Sequence, residues 1–375
     1  MGAIYSGVGC NLDNNLFQSI FPLLINEQIE AIEWSFDTLY QQKNIPEWFV
    51  ELLHEFGKAE RLIGHGVYGS LFAGIWSPAQ ADWLLHLSRM VKNFQFAHIS
   101  EHFGFMTGED FHKGAPLNLP MNKTVLNLGA DRLKRVQNIA NCPVGLENLA
   151  VTYHWDDVRR QGEFLGELLS DVDGFLILDL HNLYCQLHNF SLDFQQVINA
   201  YPLERVREIH ISGGSWAASQ TEKGRTIRRD THDEAVPIEV FDLLKKAILL
   251  CPNLKFVMFE QLGIGLQTPT AQQLFQSDFI NMQQIVSKNQ NANHTASFLP
   301  ALPHLVDNQV FENKELAHQQ QILSDILEKS DSYEQLILAL QSSALSQTDW
   351  QLEKWQPAMI ETAWVIAQKW KNGFR

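Results

Sequence analysis

Six short apolar runs along this chain each end at a metal-ligand residue or a few positions before one. They are Leu62-Ile63-Gly64-His65, Phe96-Ala97-His98-Ile99-Ser100-Glu101-His102, Val144-Gly145-Leu146-Glu147, Phe175-Leu176-Ile177-Leu178-Asp179, Val206-Arg207-Glu208-Ile209-His210 and Phe256-Val257-Met258-Phe259-Glu260. A polar cluster, Arg229-Asp230-Thr231-His232-Asp233, follows the fifth of these. Asp230 and His232 are two residues apart, so an extended backbone points both side chains the same way, as joint ligation requires. The resulting set is His65, His102, Glu147, Asp179, His210, Asp230, His232 and Glu260. Four imidazoles and four carboxylates exceed the needs of one ion and suit a bi- or trinuclear site, with a carboxylate such as Glu147 bridging. Nitrogen and oxygen donors without thiolate fit iron, manganese or zinc and do not choose between them.

Taken singly, each residue has an ordinary explanation. A His that ends a strand usually makes a hydrogen bond in a core or at a rim, and an Asp before a turn usually caps a helix. The joint occurrence carries the argument. A carboxylate at the end of a buried strand costs several kcal/mol unless it is paired or metal-bound. Glu147, Asp179 and Glu260 would all carry that cost, and no basic residue stands beside them in their strands. His98, four residues before His102, reads as a buried structural His. His181, between Asp179 and Asn182, is a possible additional ligand, whereas His54, His86, His154, His188 and His318 read as surface or packing residues.

The elements that must position this set follow from the same runs. Four or five apolar residues in a row read as a buried parallel strand, and in a (β/α)8 barrel every strand delivers its C-terminal residue to one rim. Strands are expected near 3–8, 29–34, 61–65, 95–99, 143–147, 175–179, 206–210 and 256–260. Between them lie helical patterns such as 79–92, where Trp83, Leu84, Leu87 and Met90 fall on one face, and 240–249. Alternation of this kind predicts a TIM barrel over residues 1–286. Residues 287–303, rich in Asn, Gln, Ala and Pro, read as a linker. Residues 304–375 read as a small helical C-terminal module with helices near 313–329, 333–345 and 350–370, the last started or kinked by Pro357. That module is expected either to dock a peptide or partner, or to cap the barrel bottom or form a dimer contact.

Composition bounds the partners. The 375 residues are 45% hydrophobic, enough for a full barrel core. A formal charge of −15 disfavours nucleic acid. The four scattered cysteines, Cys10, Cys142, Cys185 and Cys251, fit a reducing compartment, and with no apolar run long enough for a membrane span the expected location is the cytoplasm.

The ordered motifs resemble those of the multinuclear non-haem iron-dependent oxidative enzymes, which modify ribosomally made peptides. The resemblance runs through Gly7-Val8-Gly9, His65-Gly66-Val67 with Ser70-Leu71, Ser100-Glu101-His102, Leu146-Glu147-Asn148, Leu178-Asp179 with Asn182 and Tyr184, Glu208-Ile209-His210, Asp230-Thr231-His232 with Val236, and Phe259-Glu260. It covers roughly residues 4 to 265. It implies a xylose-isomerase-like barrel with two or three iron ions and O₂ as co-substrate. The implied substrate is a ribosomal precursor peptide modified at a Cys, Asp or Asn residue, with a separate peptide-recognition protein as partner. It further implies that Glu147 bridges an ion held by His65 and His102 and one held by Asp179, His210 and Glu260; the residues expected to be catalytic are Glu147, Asp179, His210 and Glu260. A third ion would fall to Asn182, Asp230 and His232, with Ser100, Asn148 and Arg229 orienting the ligands. The chain departs from the pattern in three places: His181 stands where Asn is usual, Gly214 replaces a His after Ile211-Ser212-Gly213, and Gln261-Leu262 replace a Trp-Asp pair. A redox-silent zinc or manganese hydrolase or sugar isomerase could use the same ligands. A non-catalytic, metal-stabilised scaffold is the remaining alternative.

Overall fold

A computed structural model describes residues 3–39, 45–108, 113–290 and 296–373. The eight expected strands form one closed parallel barrel: β1 (Tyr5–Gly9), β2 (Ala31–Trp34), β3 (Leu62–Gly66), β4 (His98–His102), β5 (Val144–Glu147), β6 (Phe175–Asp179), β7 (Val206–Ser212) and β8 (Phe256–Glu260). Their order around the barrel is their order in sequence, with β8 closing on β1. The strands are covered on both faces, so Ile32, Ile63, Ile99, Leu146, Leu176 and Val257 are all fully buried. That double coverage is why they read as unbroken apolar runs rather than as alternating ones. Register does the positioning: His102 lies beside Glu147, and Asp179 beside His210, on adjacent strands.

The surrounding helices are α1 (Asn14–Ile25), α2 (Glu47–Lys58), α3 (Pro78–Asn93), α4 (Lys123–Ala140), α5 (Trp155–Asp171), α6 (Leu180–Phe190), α7 (Ile238–Leu250) and α8 (Pro269–Ser287). Their starts are written in the sequence. Ser77 and Gln80 close a capping box ahead of Pro78, Asn122 caps α4, and Thr268 with Pro269 opens α8. Asp179 ends β6 and caps α6 at once, its Oδ1 accepting from the Asn182 N–H at 2.6 Å.

The described chain after α8 is tied to the barrel at several points. Residues 291–295 of the expected linker lie outside the described residues. Beyond them Phe298 is buried against Phe175 and Ile177, near the start of β6. The chain then climbs α4: His304 exchanges two hydrogen bonds with Asn138, Arg135 donates to the carbonyls of Asp307 and Gln309, and the Phe311 N–H donates to Asp131. It reaches the rim where the Asn313 N–H meets the Gly74 carbonyl at 2.8 Å.

Three helices follow, α9 (Lys314–Lys329), α10 (Tyr333–Ser342) and α11 (Pro357–Trp370). The expected helix over 350–370 begins only at Pro357, which takes the first helical position, and 350–356 holds a short 3-10 turn at Leu352–Lys354. The loops these helices touch all belong to the C-terminal ends of the strands. Gln320 bridges the Gly74 N–H and the Phe72 carbonyl, Trp350 meets Phe105 edge-on, and Trp355 stacks on Tyr153 with ring centres 3.7 Å apart. The C-terminal helices therefore sit beside the rim and share one apolar cluster with the barrel wall. All four cysteines are buried free thiols, and among the described residues no helix is long and apolar enough to cross a membrane.

Candidate metal centre

Six of the eight expected ligands converge at the strand ends. Glu147 is at their centre and faces two ways. Its Oε2 lies 3.3 Å from His65 Nε2 and 3.2 Å from His102 Nε2, and its Oε1 lies 3.0 Å from His210 Nδ1. Glu260 Oε2 is 3.3 Å from the same His210 nitrogen. Candidate ligand atoms of His65, His102 and Glu147 lie within 4.8 Å of one another, and so do those of Glu147, Asp179, His210 and Glu260.

The imidazoles are oriented from behind. His65 Nδ1 is 2.8 Å from Ser100 Oγ, which itself donates to the Gly64 carbonyl, so His65 is the donor and its Nε2 faces the centre. His102 Nδ1 donates to the Gly66 carbonyl at 3.1 Å, with the same result. Fixing a ligand His through its second nitrogen is how proteins set both tautomer and ring plane. Asn148 holds Asp179 through its backbone, accepting from the Asp179 N–H and donating to the Asp179 carbonyl.

Asp230 and His232 stand apart on a loop, with His232 Nε2 2.9 Å from Asp230 Oδ1 and His232 Nδ1 3.7 Å from Glu260 Oε2. His232 holds a left-handed backbone, φ +52°, which a bulky residue keeps only where its surroundings enforce it. Asn182 completes this side from the first turn of α6. Its Nδ2 donates to the Asn148 carbonyl, while its Oδ1 is buried without a hydrogen-bond partner.

His181, expected as an extra ligand, has both nitrogens engaged by protein. Its Nδ1 pairs with Asp230 Oδ1 at 3.0 Å, and its Nε2 accepts from Arg228 Nε at 3.0 Å. It therefore orients Asp230. The expected second-layer arginine, Arg229, donates to Ser215 Oγ instead, and its neighbour Arg228 takes the orienting position. Two of the departures noted above meet here in space: a Cβ at Gly214 would lie 2.7 Å from His181 Cε1 and 2.2 Å from the Arg229 carbonyl. The Arg229 carbonyl and the His181 ring together leave no room for a side chain at 214.

The sequence reading missed a lower layer. Glu33 on β2 is 3.1 Å from His210 Nε2, and Glu208 Oε1 is 3.4 Å from it. Glu208 also pairs with His98 Nε2, and His98 Nδ1 accepts from Arg207 Nε at 3.1 Å. His98 is thus the buried structural His expected, within a chain of groups that anchors His210. Glu33 was findable, since Ala31-Ile32-Glu33-Trp34 sets a carboxylate inside an apolar run just as the other strands do.

The electrostatics suit a cation. Burial pushes the Asp179 carboxyl well above the carboxylate range, and the charges of Glu147 and Asp230 push it further the same way. Burial pushes Glu33 up to about 8. Burial also works against the charged Glu147, but the imidazoles of His210 and His102 outweigh it and hold Glu147 well below its usual range. Burial opposes the charged imidazole of His65, yet Glu147 holds it up to about 10. The protein thus neutralises a crowd of carboxylates with protonated imidazoles, a role that metal ions fill better. Asp179 Oδ2 and Asn182 Oδ1 are both buried acceptors without a hydrogen-bond partner. Neutral donors, carboxylates and unsatisfied oxygens at one rim fit a metal cluster.

With that geometry in place, the comparisons give it a family. The chain belongs to the family described as RiPP precursor modification enzyme MbnB/TglH/ChrH, which matches residues 8–277. The particular relatives include a UPF0276 protein of Acaryochloris marina, 30% identical over 187 residues, covering 49% of this chain and 64% of that protein. A UPF0276 protein of Acinetobacter baylyi is 30% identical over 190 residues, 51% of this chain and 63% of that protein. The chain thus spans a little less than two thirds of the length of these curated relatives. Among solved structures, the IOLI protein with a binding zinc atom superposes with a TM-score of 0.49 at 12% identity, over 77% of this chain and 100% of that one.

Proposed function

We propose that this chain is a multinuclear iron enzyme that uses O₂ to modify a Cys, Asp or Asn residue of a ribosomally made precursor peptide, with a separate peptide-recognition protein as partner. The observation that carries the reading is Glu147, which offers one carboxylate oxygen to the His65/His102 pair and the other to His210. A single carboxylate shared in this way suits two ions side by side. His65 and His102 would hold one ion, Asp179, His210 and Glu260 a second, and Asn182, Asp230 and His232 a third. Iron held there would supply one-electron chemistry with O₂ and Lewis-acid binding of a substrate thiolate or carboxylate.

The chain's own groups do the rest. Ser100 and the Gly66 carbonyl hold the two rim imidazoles with Nε2 turned to Glu147, and Glu33 holds His210 through the nitrogen turned away from the rim. Asn148 and Asn182 lock Asp179 at the start of α6. Tyr184, 6.3 Å from the His181 ring, meets the half-exposed Trp216 edge-on, with the Arg228 guanidinium 5.1 Å from the Trp216 ring centre. Aromatic faces beside a charged group suit an extended peptide strand laid across the rim.

The test is metal content and oxygen use on protein purified without oxygen and reconstituted with ferrous iron. More than one iron per chain is expected, with O₂ uptake when a candidate precursor peptide carrying Cys, Asp and Asn residues is added and a mass change in that peptide. One iron or fewer, or zinc alone with no O₂ uptake, would overturn the reading in favour of a redox-silent hydrolase or isomerase.

A further inference from the structure

We propose that Glu361, on α11, is a positioning residue for the loop-borne part of the metal centre, so that the C-terminal helices form part of the frame that holds Asp230 and His232. This rests on the metal reading above. Asp230 and His232 follow a hairpin, Trp216–Ala218 paired with Thr226–Arg228, that has only three register pairs. A two-stranded hairpin of that size does not hold its shape alone. The Glu361 carboxylate, 8% exposed, sits against the hairpin's turn and accepts from Ser219 Oγ at 2.9 Å, the Gln220 N–H at 3.0 Å, the Thr221 N–H at 3.3 Å and Thr221 Oγ1 at 3.1 Å. Hydrogen bonds to an ionised acceptor are the strong kind, and here four groups of one turn share it.

Two further contacts tie the same turn to the same helix. The Ala358 N–H at the start of α11 donates to Glu222, and Arg225 bridges Glu222 and Gln356. Ile227 is buried against Ala358 and Met359. From the hairpin's second strand the connection to the ligands is direct. The Arg228 backbone exchanges two hydrogen bonds with the Asn189 side-chain amide, Arg228 Nε donates to His181 Nε2, His181 Nδ1 pairs with Asp230, and Asp230 pairs with His232. The path thus runs from α11 through the hairpin turn and Arg228 to Asp230. The strand-borne ligands have no such dependence, because sheet register fixes them.

The experiment compares full-length wild type with Glu361→Ala and Glu361→Gln by hydrogen exchange on metal-free protein and by metal content after iron loading. Glu361→Ala should speed exchange over residues 216–233 by about tenfold, in line with losing hydrogen bonds to a charged group. Exchange in β1 and β6 should not change. Glu361→Gln keeps an acceptor and should recover part of the protection, about threefold short of wild type. It carries the same reading if the alanine variant does not fold. On loading, the variants should lose the weakest-bound iron and keep the rest. Unchanged exchange over 216–233, or a uniform rise through the barrel strands, overturns the proposal. A wild type that takes up no metal overturns the proposed function, and the exchange data still decide the role of Glu361.

Discussion

The two halves of the rim are built differently. His65, His102, Glu147, Asp179, His210 and Glu260 stand at the ends of barrel strands, where adjacent-strand register brings His102 to Glu147 and Asp179 to His210. Asp230 and His232 ride on a loop beyond a three-pair hairpin, and their positions depend on His181, Arg228 and α11. The first half is rigid because moving one ligand means shearing a closed sheet. The second half is held by side-chain contacts and by isolated backbone bonds, such as the Leu262 N–H to the His232 carbonyl at 2.7 Å, and local openings cost least in such segments. In the proposed enzyme, a centre with one rigid and one adjustable side would keep its metals while admitting a substrate.

The largest disturbance to this contrast is removal of the C-terminal helices. A chain ending at Ser297 loses Phe298, Trp350 and Trp355, uncovering Phe175, Phe105 and Tyr153. Burial of a large apolar side chain is worth about 1.5–3 kcal/mol, against a total stability of about 5–15 kcal/mol. The truncated chain is expected to be largely insoluble, measured as soluble fraction on expression and as loss of a cooperative melt. A soluble truncated barrel with wild-type melting would mean that the two parts are energetically separate.

The next comparison sets Glu147→Ala against Asp230→Asn. Glu147 touches three imidazoles, so its loss should weaken metal binding by more than about 100-fold, beyond what loss of an outer partner costs. The barrel should remain folded by circular dichroism, because the core does not use this side chain. Asp230→Asn should cost one metal equivalent, about tenfold weaker, and spare the others. Equal losses from both substitutions, read by titration of iron into metal-free protein, would erase the distinction between the halves.

The same contrast separates what could be read in the sequence from what could not. Strand ends were legible because a doubly covered parallel strand must be apolar, which makes a terminal His or Glu conspicuous. Glu33 obeys that rule too, but the bulky Trp34 after it disguises a strand end as a mid-strand position. Loop geometry leaves no such mark. That His181 orients Asp230, and that its ring fills the space at Gly214, follows from tertiary packing alone. The place of the C-terminal helices was equally hidden: their amphipathic patterns mark a buried face, and only the path of residues 296–313 up α4 brings that face to the rim rather than to the barrel bottom.

The smallest and most specific prediction concerns Ser100. Its Oγ accepts from His65 Nδ1 and donates to the Gly64 carbonyl, so it settles which nitrogen of His65 carries the proton. In Ser100→Ala the imidazole has no acceptor behind it and can turn or change tautomer, taking Nε2 off the centre part of the time. An outer partner of this kind is worth about 10-fold in metal affinity, at the low end here because the ring stays wedged against His102, 4.5 Å between centres, and His210. The loss should fall on the ion shared by His65 and His102 alone. Iron titration with a site-resolved spectroscopic signal checks it: an unchanged signal would show that packing rather than Ser100 sets the His65 ring, and equal weakening of all the ions would show that the strand-borne ligands act as one unit.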